Sequence, residues 1–330
     1  MEENIKELTK KAEQGDVKAQ VELADNYYYG KNVEQDYGKA IFWSRKAAEQ
    51  DNQKLEKATL NADVRVITEI GLYYRSINTF EKAQKYFEKA VAKNYGPAEF
   101  FLGEIFRDKK NNLEAVIKLY EKAAEYSSDS AQKLADMYEY GDGLKQNYKK
   151  SLKWYLKAAE MEESYAQYCL GFKYEYGIGV EKNINESIKW YNLAIKNGDV
   201  SAKFRLGLLY YFGNGFEVDY KKAKELWTEV AKKIDWSFSS KAQYFLGLLF
   251  YYGNGVEIDY GITMKYFLLA SSRWSFAPAM NKIGELYEKG LGMEQDYTKA
   301  KSYYKKAADK NYEEAINALK ELDAKSKNIS

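Results

Sequence analysis

The sequence predicts an all-α protein, a solenoid of about eight antiparallel helix pairs with a capping helix at each end. Two observations carry this. A motif close to A-x-x-x-L-G-x-x-Y-x-x-G-x-G-V-x-x-D-Y-x-K-A-x-x-W-x-x-K-A-A recurs along most of the chain, and the apolar residues within it fall at helical spacing. The small residue after Leu or Ile stands at Ala24, Gly71, Gly103, Ala135, Gly171, Gly207, Gly247 and Gly284, in steps of 47, 32, 32, 36, 36, 40 and 37. Self-similarity at such a period marks a solenoid, in which no unit buries its apolar face alone. The chain therefore reads as one array over residues 1–330 that grows by addition.

Taken in order, a lone helix over Ile5–Gln14 caps the front, within residues 1–16. Eight helix pairs, each an A helix followed by a B helix, fill residues 19–311. Their A helices begin near Ala19, Val66, Ala98, Ser130, Ala166, Ala202, Ala242 and Ala279. The segment 312–330 supplies a closing helix over Tyr312–Asp323 and a tail. Repeat six shows the logic of one unit. Ala202, Leu206, Gly207 and Tyr210 share one helix face. Gly207 costs about 1 kcal/mol relative to Ala in a helix, so its recurrence implies a close helix crossing. Gly213 and Gly215 end the A helix, and Asp219 caps the next, as Asn147 and Asn183 do in their repeats. Ala223, Leu226, Val230 and Ala231 form the inner face of the B helix. Repeats two and three lack the glycine pair and turn at Ser76–Thr79 and Asp108–Asn111. Residues Asp51–Arg65 are an insertion, read as a longer B helix or an extra turn, and Trp236–Ser240 is a smaller one.

The pattern closely resembles the Sel-one-like repeat family of tetratricopeptide-like α-solenoids. The matching residues are Leu170-Gly171, Tyr174, Gly177, Gly179, Val180, Trp190 and Ala194, and again Ile283-Gly284, Tyr287, Gly290, Gly292, Asp296 and Ala300. The resemblance implies a right-handed superhelix whose A helices line a concave face. It also implies an adaptor that binds another protein or peptide, with an immunity or inhibitor protein clamping a cognate toxin or enzyme as the alternative. On the A helices of repeats one and five to seven the positions not used for packing are mostly aromatic or aliphatic: Tyr28 and Tyr29 in repeat one, Tyr168, Phe172 and Tyr176 in repeat five, Phe204, Leu208, Tyr211 and Phe212 in repeat six, and Tyr244, Leu248, Tyr251 and Tyr252 in repeat seven. Repeats three (Glu104, Arg107, Asp108) and eight (Glu285, Glu288, Lys289) are more polar there. One reading is a partner-binding groove with Tyr and Phe anchors. The others are burial of these rings between adjacent A helices, and a homodimer surface.

Other functions find little footing. With 51 basic and 49 acidic residues the chain lacks the basic stripe of a nucleic-acid binder. No His leaves no imidazole base, and a lone Cys169, read as a buried thiol, leaves no thiolate cluster for a metal. No catalytic residue, cofactor or metal is expected. Ser130 with Lys133 and Ser302 with Lys305 fit a loose Ser-x-x-Lys pattern inside ordinary repeat helices, without its companion motifs. A hydrolase with an unrecognised carboxylate site remains the competing class, and would show two nearby acids of shifted pKa in a closed pocket. The opening residues have early acids and no apolar core, and the longest apolar run is too short to span a bilayer, so a cytoplasmic protein without membrane insertion is expected.

Overall fold

The computed structural model describes residues 2–50, 52–108, 112–213, 217–233, 237–274 and 276–327. Among them there are nineteen helices and no strand. The expected second glycine of repeat six (Gly215), the turn residues 109–111, and Asp51 and Trp236 lie outside them. The chain divides into two compact units, residues 1–161 and 162–330.

In the N-terminal unit, α1 (Glu2–Glu13) lies on α2 (Val17–Tyr29), which pairs with α3 (Tyr37–Ala48). The insertion does not lengthen α3. It forms a separate short helix, α4 (Asn52–Ala58), anchored by fully buried Leu55 and packed on α2 and α3. Three further pairs follow: α5 (Val64–Ser76) with α6 (Phe80–Ala92), α7 (Gly96–Asp108) with α8 (Leu113–Ala123), and α9 (Ser128–Tyr140) with α10 (Tyr148–Glu160). The C-terminal unit holds α11 (Ser164–Tyr176) with α12 (Ile184–Lys196), α13 (Val200–Phe212) with α14 (Tyr220–Ala231), α15 (Ser237–Tyr252) with α16 (Tyr260–Trp274), and α17 (Ala277–Lys289) with α18 (Tyr297–Ala308). A closing helix, α19 (Glu313–Lys327), lies on α18. Residues 237–240 of the second insertion form the first turn of α15, which makes it a 16-residue helix.

Within each unit every A helix packs on its own B helix, and the B helix packs on the next A helix. The turns are set by caps. The side chains of Asn147, Asn183 and Asp219 accept N–H bonds from Lys150, Glu186 and Lys222, each satisfying a first-turn donor that has no partner within the helix. Most A helices begin two residues before the expected Ala or Val because the cap sits earlier. Asp199, for example, accepts from Ala202 N at 2.6 Å and starts α13 at Val200. At the other end Gly177 takes φ 72°, where a side chain would be strained, and its N–H donates to the Lys173 carbonyl at 2.8 Å.

The core repeats one device. A ring on the B helix occupies the space beside the glycine of the A helix. A Cβ on Gly171 would fall 2.5 Å from Tyr191 Cδ1, on Gly247 2.5 Å from Phe267 Cε1, and on Gly284 2.7 Å from Tyr304 Cδ1. Gly71 meets Phe87 and Gly103 meets Tyr120 in the same way, while Gly207 meets Trp227, which is fully buried. The spacing predicted the crossing, and the ring is what occupies it.

Candidate functional site

The thirteen A-helix residues separate into three groups once the neighbouring helices are in place. Tyr28, Phe204 and Leu248 are buried and present no surface, contrary to the groove reading. The cause is the packing of the following helices. Phe204 lies 5.4 Å from the Phe238 ring and 5.9 Å from Phe245 of α15, and Leu248 belongs to a cluster with Ile283 and Leu286 of α17. Tyr28 is held by the Tyr37 ring at 5.9 Å and the Arg65 guanidinium at 5.1 Å.

Tyr168, Phe172, Leu208, Tyr211, Tyr244 and Tyr251 are half-buried. Tyr211 sits among Trp227, Tyr220 and Phe245 at 5.5, 5.4 and 5.8 Å between ring centres. Tyr244 meets Phe276 at 5.4 Å, and the Tyr251 hydroxyl donates to Glu285 at 2.8 Å. Four rings remain open to solvent: Tyr29 (46% exposed), Tyr176 (53%), Phe212 (56%) and Tyr252 (53%). Each is the last residue of its A helix, immediately before the capping glycine. Tyr140, at the end of α9, is exposed in the same position and was not anticipated. Its signal was present in the sequence as the second residue after Tyr138.

These rings are braced from the next A helix. Arg205 of α13 lies 4.7 Å from the Phe172 ring centre and 5.2 Å from that of Tyr176, and donates to the Tyr176 hydroxyl at 3.1 Å. Lys282 of α17 lies 5.0 Å from Tyr251 and 5.9 Å from Tyr252. Between α13 and α15 the same position carries Phe245, edge-on to Tyr211 and Phe212. Arg205, Phe245 and Lys282 each stand two residues before the A-helix glycine, a position sequence reasoning passed over. In the N-terminal unit, Arg65 stacks on Tyr29 at 4.2 Å, and the Tyr29 hydroxyl donates to Asp63. Such contacts contribute about 0.5–1 kcal/mol when exposed and hold the rings in one orientation.

The buried and half-buried carboxylates have structural employment. Glu175 accepts from the Tyr191 hydroxyl at 2.6 Å and lies 3.9 Å from Arg205 Nε. Asp136 accepts from Tyr155 at 2.5 Å, Glu288 from Tyr304 at 2.8 Å, and Glu104 from Tyr120. In all four the donor comes from the ring of the paired B helix. Glu285 is held at about 2: burial works to raise it, and bonds from Lys282, Lys289 and Tyr251 prevail. Burial pushes Asp25 up to about 6, with the Asp63 carboxylate adding to the rise and the Asp63 N–H and Lys31 opposing it. Asp63, against the pull of its own burial, is kept below the usual range by Tyr29 and Arg65. These two acids are neighbours, but both serve the start of α5: Asp63 caps it and Asp25 accepts the Asp63 N–H at 3.2 Å. Cys169 is half-buried and not buried as expected. Among the described residues no group of three or more His, Cys, Asp or Glu could hold a metal, and no helix is long and apolar enough to cross a membrane.

The family model "Sel1 repeat" matches residues 17–52, 71–95, 96–125, 128–162, 164–199, 200–233, 240–273 and 277–312, one stretch per helix pair. Among curated proteins none matches. A protective antigen of uropathogenic Escherichia coli, c5321, which displays an SLR fold, is 27% identical over 96% of this chain, with a TM-score of 0.75. This chain spans only 66% of that protein. A Sel1 repeat protein from Oxalobacter formigenes is 27% identical over 73% of this chain and 96% of its own, with a TM-score of 0.59. The immunity protein Pa5087 of Pseudomonas aeruginosa reaches a TM-score of 0.38 at 17% identity, over 61% of this chain and 75% of its own, too loose a superposition to carry anything further. The chain belongs to the Sel1 repeat family, whose members are in general protein-interaction scaffolds and usually non-catalytic.

Proposed function

We propose that the protein is a non-enzymatic adaptor that takes a partner protein or peptide on the A-helix ends of its C-terminal unit. The observation that carries this is the row Tyr176, Phe212 and Tyr252, each half exposed at the end of an A helix and each braced by the A helix that follows. Large rings fixed before a ligand arrives lose little entropy on binding, which is what an anchor residue requires. The half-buried Tyr211 and Tyr251 behind them orient this row and are less suited to direct contact. The cations beside it are paired, Arg205 with Glu175 and Lys282 with Glu285, so the surface favours a protein over a phosphate backbone. An immunity protein clamping a cognate toxin would use the same rings and differ only in what is captured.

Affinity capture from native extract with cross-linking and mass spectrometry tests this. The expected result is a dominant protein linked to α11, α13 and α15 and lost with Phe212→Ala plus Tyr252→Ala, while helicity and melting stay unchanged. Capture that survives the double variant, or a turnover activity without a partner, would sink the reading.

A further inference from the structure

The outward face of α16 departs from the other B helices of its unit. At the same distances from the A-helix glycine, α12 carries Glu186, Lys189, Asn192 and Leu193, α14 carries Lys222, Glu225, Thr228 and Glu229, and α18 carries Lys299, Ser302, Lys305 and Lys306. Helix α16 carries Ile262, Lys265, Leu268 and Leu269, all exposed. Three of four outward positions are thus aliphatic on one helix. Two furrows flank the ridge they make. One, of about 400 Å³, lies between α14 and α16 and is floored by Leu246 and Phe250 of α15. The other, of about 530 Å³, runs along Met264 and Leu268. Among the described residues the charged side chains lining the two are Lys232 and Lys265, and Lys265 lines both. Lys265 has no ion pair among the described residues.

We propose that this face of α16 docks an amphipathic helix of a partner protein whose apolar stripe is flanked by acidic residues. A ridge between two furrows matches apolar side chains spaced three and four apart on one helix face. Lys265, which lines both furrows and has no ion pair among the described residues, favours carboxylates beside that stripe and disfavours like charge. A second copy of this chain would bring Lys265 toward Lys265, and a flat bilayer would reach the ridge but not the furrow floor at Leu246 and Phe250. The proposal is independent of the rings on the A helices.

The test is selection from a displayed library of peptides about fifteen residues long, four helical turns, with leucines fixed along one face and all other positions random. The intact chain is the bait and Leu269→Asp the counter-bait. Leu269 points outward, so the substitution leaves the core in place. Circular dichroism checks this, and Leu269→Asn serves as a milder second variant. The expected binders are acidic beside the stripe, depend on Leu269, and weaken by about tenfold with Lys265→Glu plus Lys232→Glu. Binders with neutral or basic flanks, or none that depends on Leu269, would overturn the proposal. So would binding of phosphatidylserine vesicles through this face, or self-association that Leu269→Asp abolishes.

Discussion

Gly171 shows how much one position decides. Its missing side chain leaves room for Tyr191, which is fully buried and tied by its hydroxyl to Glu175 at 2.6 Å. The ring cannot swing aside without breaking that bond. Gly171→Ala gains about 1 kcal/mol of helix propensity, but overpacking a filled core costs about 1–3 kcal/mol. The substitution is expected to lower stability by about 1 kcal/mol on balance, with about 2 as the upper bound, read as a fall in the urea midpoint with an unchanged slope. A neutral or stabilising result would mean the ring is not locked. The glycine's role was legible in the sequence because a costly residue recurred at one helical position. Its partner was less so, since Trp190 and Tyr191 are adjacent and only the observed rotation of α12 brings Tyr191 to the glycine. The candidate site suffered from the same limit. Periodicity shows which residues share a face, but not how much of that face the next A helix covers, and so Phe204 and Leu248 read as surface while both are core.

At the level of helices, the contacts between successive A helices carry the repeat-specific chemistry. Asp25 of α2 binds the N–H of Asp63, the residue that caps α5, and so joins two A helices. Its carboxyl ionises at about 6 in the folded chain, against 3.8 for the ordinary side chain. Between those values the folded protein holds a proton that the unfolded chain has lost, so stability falls as pH rises through this window. Above it, the folded chain carries a half-buried charge beside Asp63. Asp25→Asn keeps an acceptor for the Asp63 N–H and removes the charge. It is expected to stabilise the protein by about 1 kcal/mol at pH 7.5, after screening by solvent. The gain should shrink as pH falls from about 6 toward 4, as Asp25 takes up its proton. Thermal melts across that range check it, and a gain independent of pH, or a loss at pH 7.5, would refute the assignment. Caps and glycine turns were legible from local sequence because they act over three or four residues. The Asp25–Asp63 bond was not, because it depends on where α4 and the insertion deliver the chain.

Across the whole molecule, residues shared between repeats build the core, and the chemistry particular to this chain lies where repeats differ. The helix pairs were therefore legible almost entirely, while the bracing cations, which of the candidate rings stay exposed, and the aliphatic face of α16 emerged only when repeats could be compared in space. The same organisation sets local stability. Each helix in an array is held by its immediate neighbours, so protection should follow the number of packed sides. The B helices α12, α14 and α16 are each held by their own A helix and the next, with Tyr191, Trp227 and Phe267 fully buried. Helix α1 packs chiefly on α2, α19 chiefly on α18, and among its described residues α4 has one fully buried side chain, Leu55. Native-state hydrogen exchange should show amides around Tyr191, Trp227 and Phe267 as the slowest, and those of α1, α4 and α19 as faster by about a hundredfold or more. Uniform protection through each unit would contradict nearest-neighbour stabilisation and indicate one cooperative body. Fast exchange at α16 would likewise contradict the prediction, because Phe267 is fully buried and the helix packs on both α15 and α17.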